Sequence, residues 1–346
     1  MKRVLERLLR GHDLGEAEAA DLLVALTDET LTPAMSGALL AALRAKGETP
    51  DEIRGFATAM RRLARKPATA DATGAVDVVG TGGDGSGSLN LSTGAALLTA
   101  ACGGPVIKHG NRSVSSKSGS ADVLEALGLA LPGDEQSAGD CLERTGFTFL
   151  FAPYFHPAMK ALAPVRRALG VRTVFNLLGP LTNPAAPRFG VIGAFSPEAA
   201  RLMADTLAGM PIDRVFVVHG TPGWDEATPV GPCLIYDVRP GRVEPGERDP
   251  GDHGVPRCTA EELAGGDAAA NAKRLEASLD GEPGAHREAL VLGAGLALEV
   301  SGREHSFARG IERARTAIDD GSARRQIEAL RRYTTAGHTM AEDDRG

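Results

Sequence analysis

The first part of the chain repeats apolar residues at the spacing of amphipathic helices. Leucine and valine recur at helical intervals within residues 4–9, and leucine does so again within residues 22–26. Thr49 and Pro50 suit the N-cap and first position of a further helix, and Glu52 completes a capping box with Thr49. The pattern predicts a bundle of helices whose apolar faces pack against one another.

Short apolar runs alternate with helical patterns after a connector at residues 66–74. Strands are predicted at residues 76–79, 106–107, 147–151, 190–194, 215–218 and 234–238. This alternation is typical of an α/β fold with a parallel or mixed central sheet flanked by helices. Residues 239–256 are predicted to be an exposed loop, residues 260–330 to be mostly helical, and the chain from Thr334 to be frayed.

Composition narrows the class of protein. The 346 residues carry a net charge of −7, which argues against a surface that coats nucleic acid. No apolar run approaches the roughly 20 residues that span a bilayer. Residues 1–14 carry charges throughout and lack a signal-peptide core, and the cysteines are scattered without the paired spacing of a metal site. We therefore expect a cytoplasmic protein with reduced thiols.

Two polar segments that contain glycine each follow a predicted strand. The first combines a glycine-rich run at residues 80–85 with the polar residues 90–93, where a helix is predicted to start near Ser92. The second, residues 108–116, places two cations, a glycine and several small polar residues in one apparent loop. Glycine lets successive N–H groups converge on a phosphate oxygen, and a helix N-terminus favours the same charge. The two segments together indicate a binding site for a phosphorylated small molecule.

The glycine run alone is a weak signal. It lacks the Gly-Lys-Ser/Thr ending of a P-loop, and its spacing differs from the dinucleotide fingerprint. An irregular turn between a strand and a helix explains the run equally well when it is considered alone.

Longer motifs, taken in order and spacing, resemble the anthranilate phosphoribosyltransferase family. The motifs are Gly80-Thr81-Gly82-Gly83-Asp84, Asn90-Leu91-Ser92-Thr93, Lys108 to Ser116 continuing through Ser118 to Gly128, His156 to Lys160, Pro164 to Arg167, and Arg172 to Pro184. The resemblance covers nearly the whole chain and is strongest between residues 76 and 184.

The resemblance implies an architecture and a reaction. It implies a helical domain in residues 1–70, which dimerises and forms part of the cleft, an α/β domain in residues 71–333, and a flexible tail in residues 334–346. The implied enzyme is a homodimer that transfers the phosphoribosyl group of 5-phosphoribosyl-1-diphosphate to the amino nitrogen of anthranilate, with Mg²⁺, in tryptophan biosynthesis. Diphosphate leaves, so negative charge must be stabilised where it departs.

The resemblance also implies site residues for the donor and the metal. The donor would be surrounded by Gly80, Gly83, Asp84, Ser88, Asn90, Leu91, Ser92, Thr93, Lys108, His109, Gly110, Asn111, Arg112, Ser113, Val114, Ser115, Ser116 and Ser120. Asp225 and Glu226 match the family's metal pair, with Ser92 as a further magnesium contact. Without the resemblance, the two acids would be interpreted as a solvated acidic turn, and Lys108 as a surface lysine at a strand end.

For the acceptor, the resemblance implies that Arg166 binds the carboxylate of anthranilate, together with Asn111 and Gly80. The alternative for Arg166 is a solvated arginine on a helix. An aromatic amine is already neutral near pH 7, so no general acid or base is assigned. His109 and His156 are predicted either to shape the acceptor pocket or to be structural histidines.

Three positions depart from the family pattern: Trp224 before the acidic pair, Ala227 after it, and Gly293 in a late helix. They leave the predicted ligands in place and bear on the acceptor preference. Two other hypotheses stay open: a related transferase or phosphorylase with another aromatic acceptor, and a non-catalytic paralogue that binds nucleic acid. The retained Asp225, Glu226 and Arg166 weigh against the first alternative, and the acidic balance together with the retained catalytic set weighs against the second.

Overall fold

Four helices begin the chain, as the apolar pattern predicts. The computed structural model describes residues 1–28, 30–69, 74–113 and 117–335. The first helices are α1 (Lys2–Leu9), α2 (Glu16–Thr27), α3 (Pro33–Lys46) and α4 (Pro50–Leu63). The predicted capping box is confirmed, because Glu52 N donates to Thr49 Oγ1 at 3.3 Å and Thr49 N donates to Glu52 Oε2 at 2.9 Å.

A seven-stranded mixed sheet forms the centre of the α/β part, in the order β3-β2-β1-β4-β5-β6-β7. The strands are β1 (Val76–Gly80), β2 (Val106–Gly110), β3 (Phe147–Phe151), β4 (Phe189–Gly193), β5 (Arg214–Gly220), β6 (Cys233–Arg239) and β7 (Arg242–Arg248). The first five strands are parallel, and β6 and β7 pair antiparallel at one edge. All six predicted strands are confirmed.

The prediction of an exposed loop at residues 239–256 was wrong for its first part. β7 pairs with β6 through a tight turn in which Arg239 is opposite Arg242. The strand has no apolar alternation because it is an edge strand and most of its residues are exposed. Pro245 is tolerated there for the same reason.

Eleven further helices lie within the described residues and flank the sheet. They are α5 (Leu91–Ala101), α6 (Ser120–Ala126), α7 (Glu135–Thr145), α8 (Ala152–Phe155), α9 (Ala163–Leu169), α10 (Phe175–Leu178), α11 (Pro197–Ala208), α12 (Ala268–Leu279), α13 (Ala285–Val300), α14 (Phe307–Asp319) and α15 (Ser322–Thr335). None of the helices in the described ranges is both long and apolar enough to span a bilayer. The last helix includes Thr334, whose Oγ1 accepts a hydrogen bond from Ala130 N at 2.7 Å. The rest of the predicted tail lies outside the described residues.

Two large cores lie on opposite faces of the sheet. Phe216 and Val218 of β5 contribute to a core with the C-terminal helices, whereas Val215 and Val217 contribute to a core with the N-terminal helices. This split follows from the alternation of side chains along a strand. The N-terminal helices and the sheet therefore share a continuous apolar core.

Candidate active site

Three neighbouring parallel strands end together and form the base of the site. β1, β4 and β5 stop at Gly80, Gly193 and Gly220. Beyond Gly80 the chain turns with positive φ at Gly82 (67°) and Gly83 (69°), a conformation that favours glycine. α5 then begins next to this turn, which confirms the helix start predicted near Ser92. Amides of the turn and the positive end of α5 therefore lie at one edge of the sheet.

The acidic pair predicted from sequence lies against this edge. Asp225 Oδ2 accepts hydrogen bonds from Gly82 N at 2.6 Å and from Thr81 Oγ1 at 3.4 Å. Glu226 Oε1 accepts from Ser92 N at 2.9 Å, at the start of α5. Asp225 and Glu226, which the resemblance alone joined to the glycine turn, thus lie against it, and the alternative of a solvated acidic turn was wrong for Asp225.

The close approach of the pair to the sheet requires glycine at the ends of β4 and β5, and a side chain at Gly80 would displace the Asp225 carboxylate. A Cβ on Gly80 would lie 2.3 Å from Asp225 Oδ2, one on Gly193 would lie 1.4 Å from Asp225 O, and one on Gly220 would lie 2.0 Å from Glu226 O. Gly193 and Gly220 were not predicted as site residues. Their signal in the sequence is a glycine at the end of each predicted strand.

Burial and mutual repulsion make the site electrostatically unusual. Burial, followed by the charge of Asp84, raises the pKa of Asp225 to about 7. Burial and the charge of Asp225 likewise raise the pKa of Glu226 well above its usual value. Asp225 N also donates to Asp84 Oδ2 at 3.3 Å, so three carboxyl groups are gathered in a small volume.

These groups fit a magnesium ion only in part. Hard carboxylate oxygens and the Ser92 hydroxyl are suitable ligands, and a divalent cation would relieve the repulsion among the buried acids. Within the described ranges, however, no group of three or more His, Cys, Asp or Glu side chains is arranged to hold a metal on its own. Oxygens from a phosphorylated ligand and from water would have to complete the coordination.

Lys108 lies beneath the same site. The prediction that residues 108–116 form a loop was wrong at its start, because β2 continues to Gly110. The predicted alternative of a surface lysine was also wrong, since Lys108 is 2% exposed. Its Nζ donates to Val78 O and, at 3.4 Å, to Ser92 Oγ. Burial lowers the pKa of Lys108, while Asp77, Glu226 and Asp225 oppose that effect. The ammonium group is thus a buried counter-charge to the acidic pair.

His109 projects from the opposite face of β2, next to His156. The two buried rings have centroids 5.1 Å apart, and His109 Nδ1 lies 3.2 Å from Gly179 O. Burial lowers the pKa of His109 to about 3 and that of His156 to about 4. Both rings are therefore neutral at pH 7.

The rest of the second polar segment is tied to α6. Arg112 forms ion pairs with Glu125 at 2.6 Å and Asp122 at 3.1 Å. Asn111 O accepts hydrogen bonds from Ser120 Oγ and Ala121 N, both at 3.2 Å. Asp122 Oδ2 also accepts from Ser113 N at 3.1 Å. The predicted site residues Val114, Ser115 and Ser116 lie outside the described residues.

Two residues of the first segment that were predicted to contact the phosphoribosyl donor have buried side chains. Leu91 and Thr93 are 3% and 1% exposed, so their side chains belong to the core beneath α5. Asn90 Nδ2 donates to Ser118 O at 3.1 Å, which joins the two polar segments. Ser88 is half-buried, and its Oγ accepts from Ser86 Oγ at 3.2 Å.

Arg166 is an exposed side chain on α9, with its guanidinium 5.1 Å from the centroid of the Phe175 ring. Phe175 in turn packs edge-on against Phe56 of α4, so Phe175 links Arg166 to the N-terminal helices. Arg172, which was not predicted as a site residue, donates a hydrogen bond to Gly83 O. The segment that carries both arginines therefore lies against the glycine turn.

The departures from the family pattern have packing explanations. Trp224 is 6% exposed and belongs to the core, and its main chain pairs with Gly220 through bonds of 2.8 and 3.0 Å. Ala227 is also buried in this core. A Cβ on Gly293 would lie 2.7 Å from Ala95 Cβ, because α13 packs closely on α5. The indole therefore fills the core beside the acidic pair.

Comparison with known proteins agrees with this architecture. Residues 72–324 match the family model described as glycosyl transferase family, a/b domain. Residues 2–64 match the one described as glycosyl transferase family, helical bundle domain. The chain is thus a glycosyl transferase with a helical bundle domain and an a/b domain.

Individual relatives narrow this class. An anthranilate phosphoribosyltransferase of Desulforudis audaxviator is 45% identical over 345 residues, which cover 100% of this chain and 99% of the relative. The crystal structure of anthranilate phosphoribosyltransferase from Thermus thermophilus has a TM-score of 0.89 at 42% identity, covering 96% of this chain and 99% of that one. The Saccharomyces cerevisiae enzyme in complex with PRPP and Mg has a TM-score of 0.88 at 25% identity, covering 96% and 97%. The chain belongs to the anthranilate phosphoribosyltransferase family.

Proposed function

We propose that this protein transfers the phosphoribosyl group of 5-phosphoribosyl-1-diphosphate to the amino nitrogen of anthranilate, a step of tryptophan biosynthesis. The observation that carries the proposal is the convergence of Asp225 and Glu226 on the glycine turn and on the N-terminus of α5. This edge of the sheet combines anion-binding amides with the oxygen ligands of a hard cation.

The donor side of the site stabilises negative charge. Breaking the bond between the sugar and diphosphate leaves positive character on the sugar and negative charge on the departing group. The positive end of α5 and the ammonium of Lys108 supply positive charge on this side, while Gly82 N and Ser92 N hold the carboxylates of Asp225 and Glu226 in place. Asp225, Glu226 and Ser92 would hold Mg²⁺, which supplies charge neutralisation to the diphosphate when bound.

The acceptor side mainly positions its substrate. The amine of anthranilate is neutral near pH 7 and needs alignment more than deprotonation. Arg166 binds the acceptor carboxylate through parallel hydrogen bonds, with Asn111 and Gly80 beside it. His109 and His156, both neutral and buried, shape the acceptor pocket from behind in this proposal.

The test is direct. Purified protein is mixed with magnesium, phosphoribosyl diphosphate and anthranilate, and the loss of anthranilate fluorescence is followed. We expect loss that requires all three components. Fluorescence that persists at high enzyme concentration would eliminate this activity. Turnover only with another aromatic acceptor would favour the related transferase, and salt-dependent retention of DNA without turnover would favour the nucleic-acid-binding paralogue.

Arg166→Ala tests the acceptor side separately. It should raise the KM for anthranilate about 10- to 100-fold, because a charge-assisted bidentate contact is lost, and should leave the KM for the donor nearly unchanged. Initial rates at varied concentrations of each substrate measure both constants. Arg167→Ala, a change at an exposed neighbour, is the matched control. Unaltered dependence on anthranilate would place the carboxylate contact elsewhere.

We also propose that the protein is a cytoplasmic homodimer joined through the helical part, with a domain division near residue 70. Met1, Leu9 and Leu63 are large apolar side chains of this part that are 40%, 65% and 37% exposed. A partner would cover such side chains. Light scattering should give twice the 35.9 kDa mass of the chain, and a Leu9→Glu substitution should shift the mass toward the monomer.

A further inference from the structure

One arginine joins three elements around the glycine turn. Arg172 donates a hydrogen bond to the carbonyl oxygen of Gly83, within the turn that follows β1. Its guanidinium also stacks on Phe195, 4.0 Å from the ring centroid, just after β4. A planar guanidinium can make both contacts at once, whereas an ammonium group cannot.

Both anchors of this arginine are fixed by the core. Thr173 and Val174, which follow Arg172 in sequence, are 5% and 0% exposed, and Thr173 N donates to Asn176 Oδ1 at 2.9 Å. Phe195 lies between buried Ala194, whose N donates to Val218 O at 2.9 Å, and the N-cap of α11. The side chain of Arg172 is exposed, but its base and the ring beneath it are held in place.

The hydrogen bond determines the direction of one peptide group. In a trans peptide the C=O and N–H bonds point in opposite directions. When Arg172 holds the carbonyl of Gly83, the N–H of Asp84 must point away from Arg172. No described residue accepts a hydrogen bond from Asp84 N, so this donor is available to a ligand. Gly83 has φ of 69° and no side chain, so the peptide would otherwise rotate easily.

We propose that Arg172 is a positioning residue that orients the Gly83–Asp84 peptide so that Asp84 N–H binds the diphosphate of the phosphoribosyl donor. The inference rests on the proposed function for the identity of the ligand. Arg172 acts through the peptide and does not contact the donor. Its loss leaves the chemistry intact but requires the turn to be ordered each time the donor binds.

Kinetic and binding measurements test whether Arg172 contributes to the affinity for the phosphoribosyl donor. Arg172→Ala should raise the KM for phosphoribosyl diphosphate about tenfold, with kcat within about threefold of wild type, which corresponds to the loss of one hydrogen bond to a charged group. Calorimetry with magnesium and diphosphate should show the same loss of affinity without turnover. Arg172→Lys retains a cation but not the stacking and should give an intermediate value. Arg167→Ala is the control.

The mobility of the glycine turn, measured without ligand, tests whether Arg172 orders the Gly83–Asp84 peptide. In protein labelled with ¹⁵N-glycine, the amides of Gly83 and Gly85 should be ordered in wild type and clearly more mobile in Arg172→Ala, at an unchanged Tm. An unchanged KM for the donor would overturn the proposal. A raised KM with unaltered glycine amides would also overturn it, because Arg172 would then contact the donor itself. If wild type lacks transferase activity, the proposed function fails, while the glycine relaxation and the diphosphate affinity still decide the role of Arg172.

Discussion

The two polar segments, residues 80–93 and 108–116, look alike in sequence and differ in the structure. The first wraps around a buried acidic pair, to which the amides of Gly82 and Ser92 donate hydrogen bonds. The second begins as a strand whose cation is buried and continues as a loop whose arginine is paired with acids of α6. In the first segment backbone amides hold the acidic pair, whereas in the second the side chains of Lys108 and Arg112 are bonded to other protein groups. Similar composition therefore does not imply similar contacts in the fold.

The largest effect is expected at the acids that the first segment surrounds. The double substitution Asp225→Ala with Glu226→Ala should lower kcat by about 10³-fold or more and weaken the dependence on magnesium, since two oxygen ligands are lost. Initial rates over a magnesium titration measure both. The matched control is Asp319→Ala, a change at an acid on α14 that is exposed. A double variant whose magnesium response equals that of wild type would remove the pair from the site.

Lys108→Met tests whether the cation of the second segment is mainly structural. Removing the buried ammonium leaves Asp77 and the acidic pair without their counter-charge. We therefore expect the free energy of unfolding to fall by about 3 kcal/mol at pH 8. Urea unfolding at pH 8 measures the loss, with Lys273→Met on the exposed face of α12 as control. A variant as stable as wild type but with poor donor binding would show that Lys108 serves the ligand instead.

His156, which packs against His109 of the second segment, should make the stability of the protein depend on pH. The pKa of His156 is about 4 in the folded protein, below the usual value of a histidine, so folding favours the neutral ring. The stability that this ring supports is present above about pH 6.5, the ordinary pKa of a histidine, and is lost as pH falls toward 4.

Between pH 7 and pH 4.5, the free energy of unfolding of His156→Gln should therefore fall by about 1–3 kcal/mol less than that of wild type. Urea unfolding at the two pH values measures the difference, and His12→Gln on the exposed face near α1 should behave as wild type. An identical pH dependence in both proteins would mean that the ring is protonated without cost in the fold.

Much of the fold follows from local pattern, because strands and helices with clear apolar periodicity were predicted close to their actual bounds. The edge strand β7 was missed since an exposed edge carries no such periodicity. For the site, the residue types of Asp225, Glu226 and the glycine turn could be predicted, but the direction of a side chain could not. Lys108 and His109 point to opposite faces of β2, and only the extent of that strand, which the sequence understated, determines this. Arg172 was missed for a related reason. Its partner is the backbone carbonyl of Gly83, and because every residue has a carbonyl, the sequence does not indicate which one an arginine will contact.

The smallest effect is expected at Arg112, where the resemblance and the structure lead to different expectations. The resemblance places Arg112 at the donor, whereas its guanidinium is paired with Glu125 and Asp122 in side chains that are about one-third exposed. If these pairs persist in the complex, Arg112→Ala should change the KM for the donor less than about threefold and the stability by less than about 1 kcal/mol, as is usual for partly exposed ion pairs. Arg144→Ala on the exposed face of α7 is the control for the loss of a positive charge. A rise in the donor KM beyond about tenfold would mean that Arg112 leaves the acids of α6 to bind phosphate, and the second segment would then resemble the first in function as well as in composition.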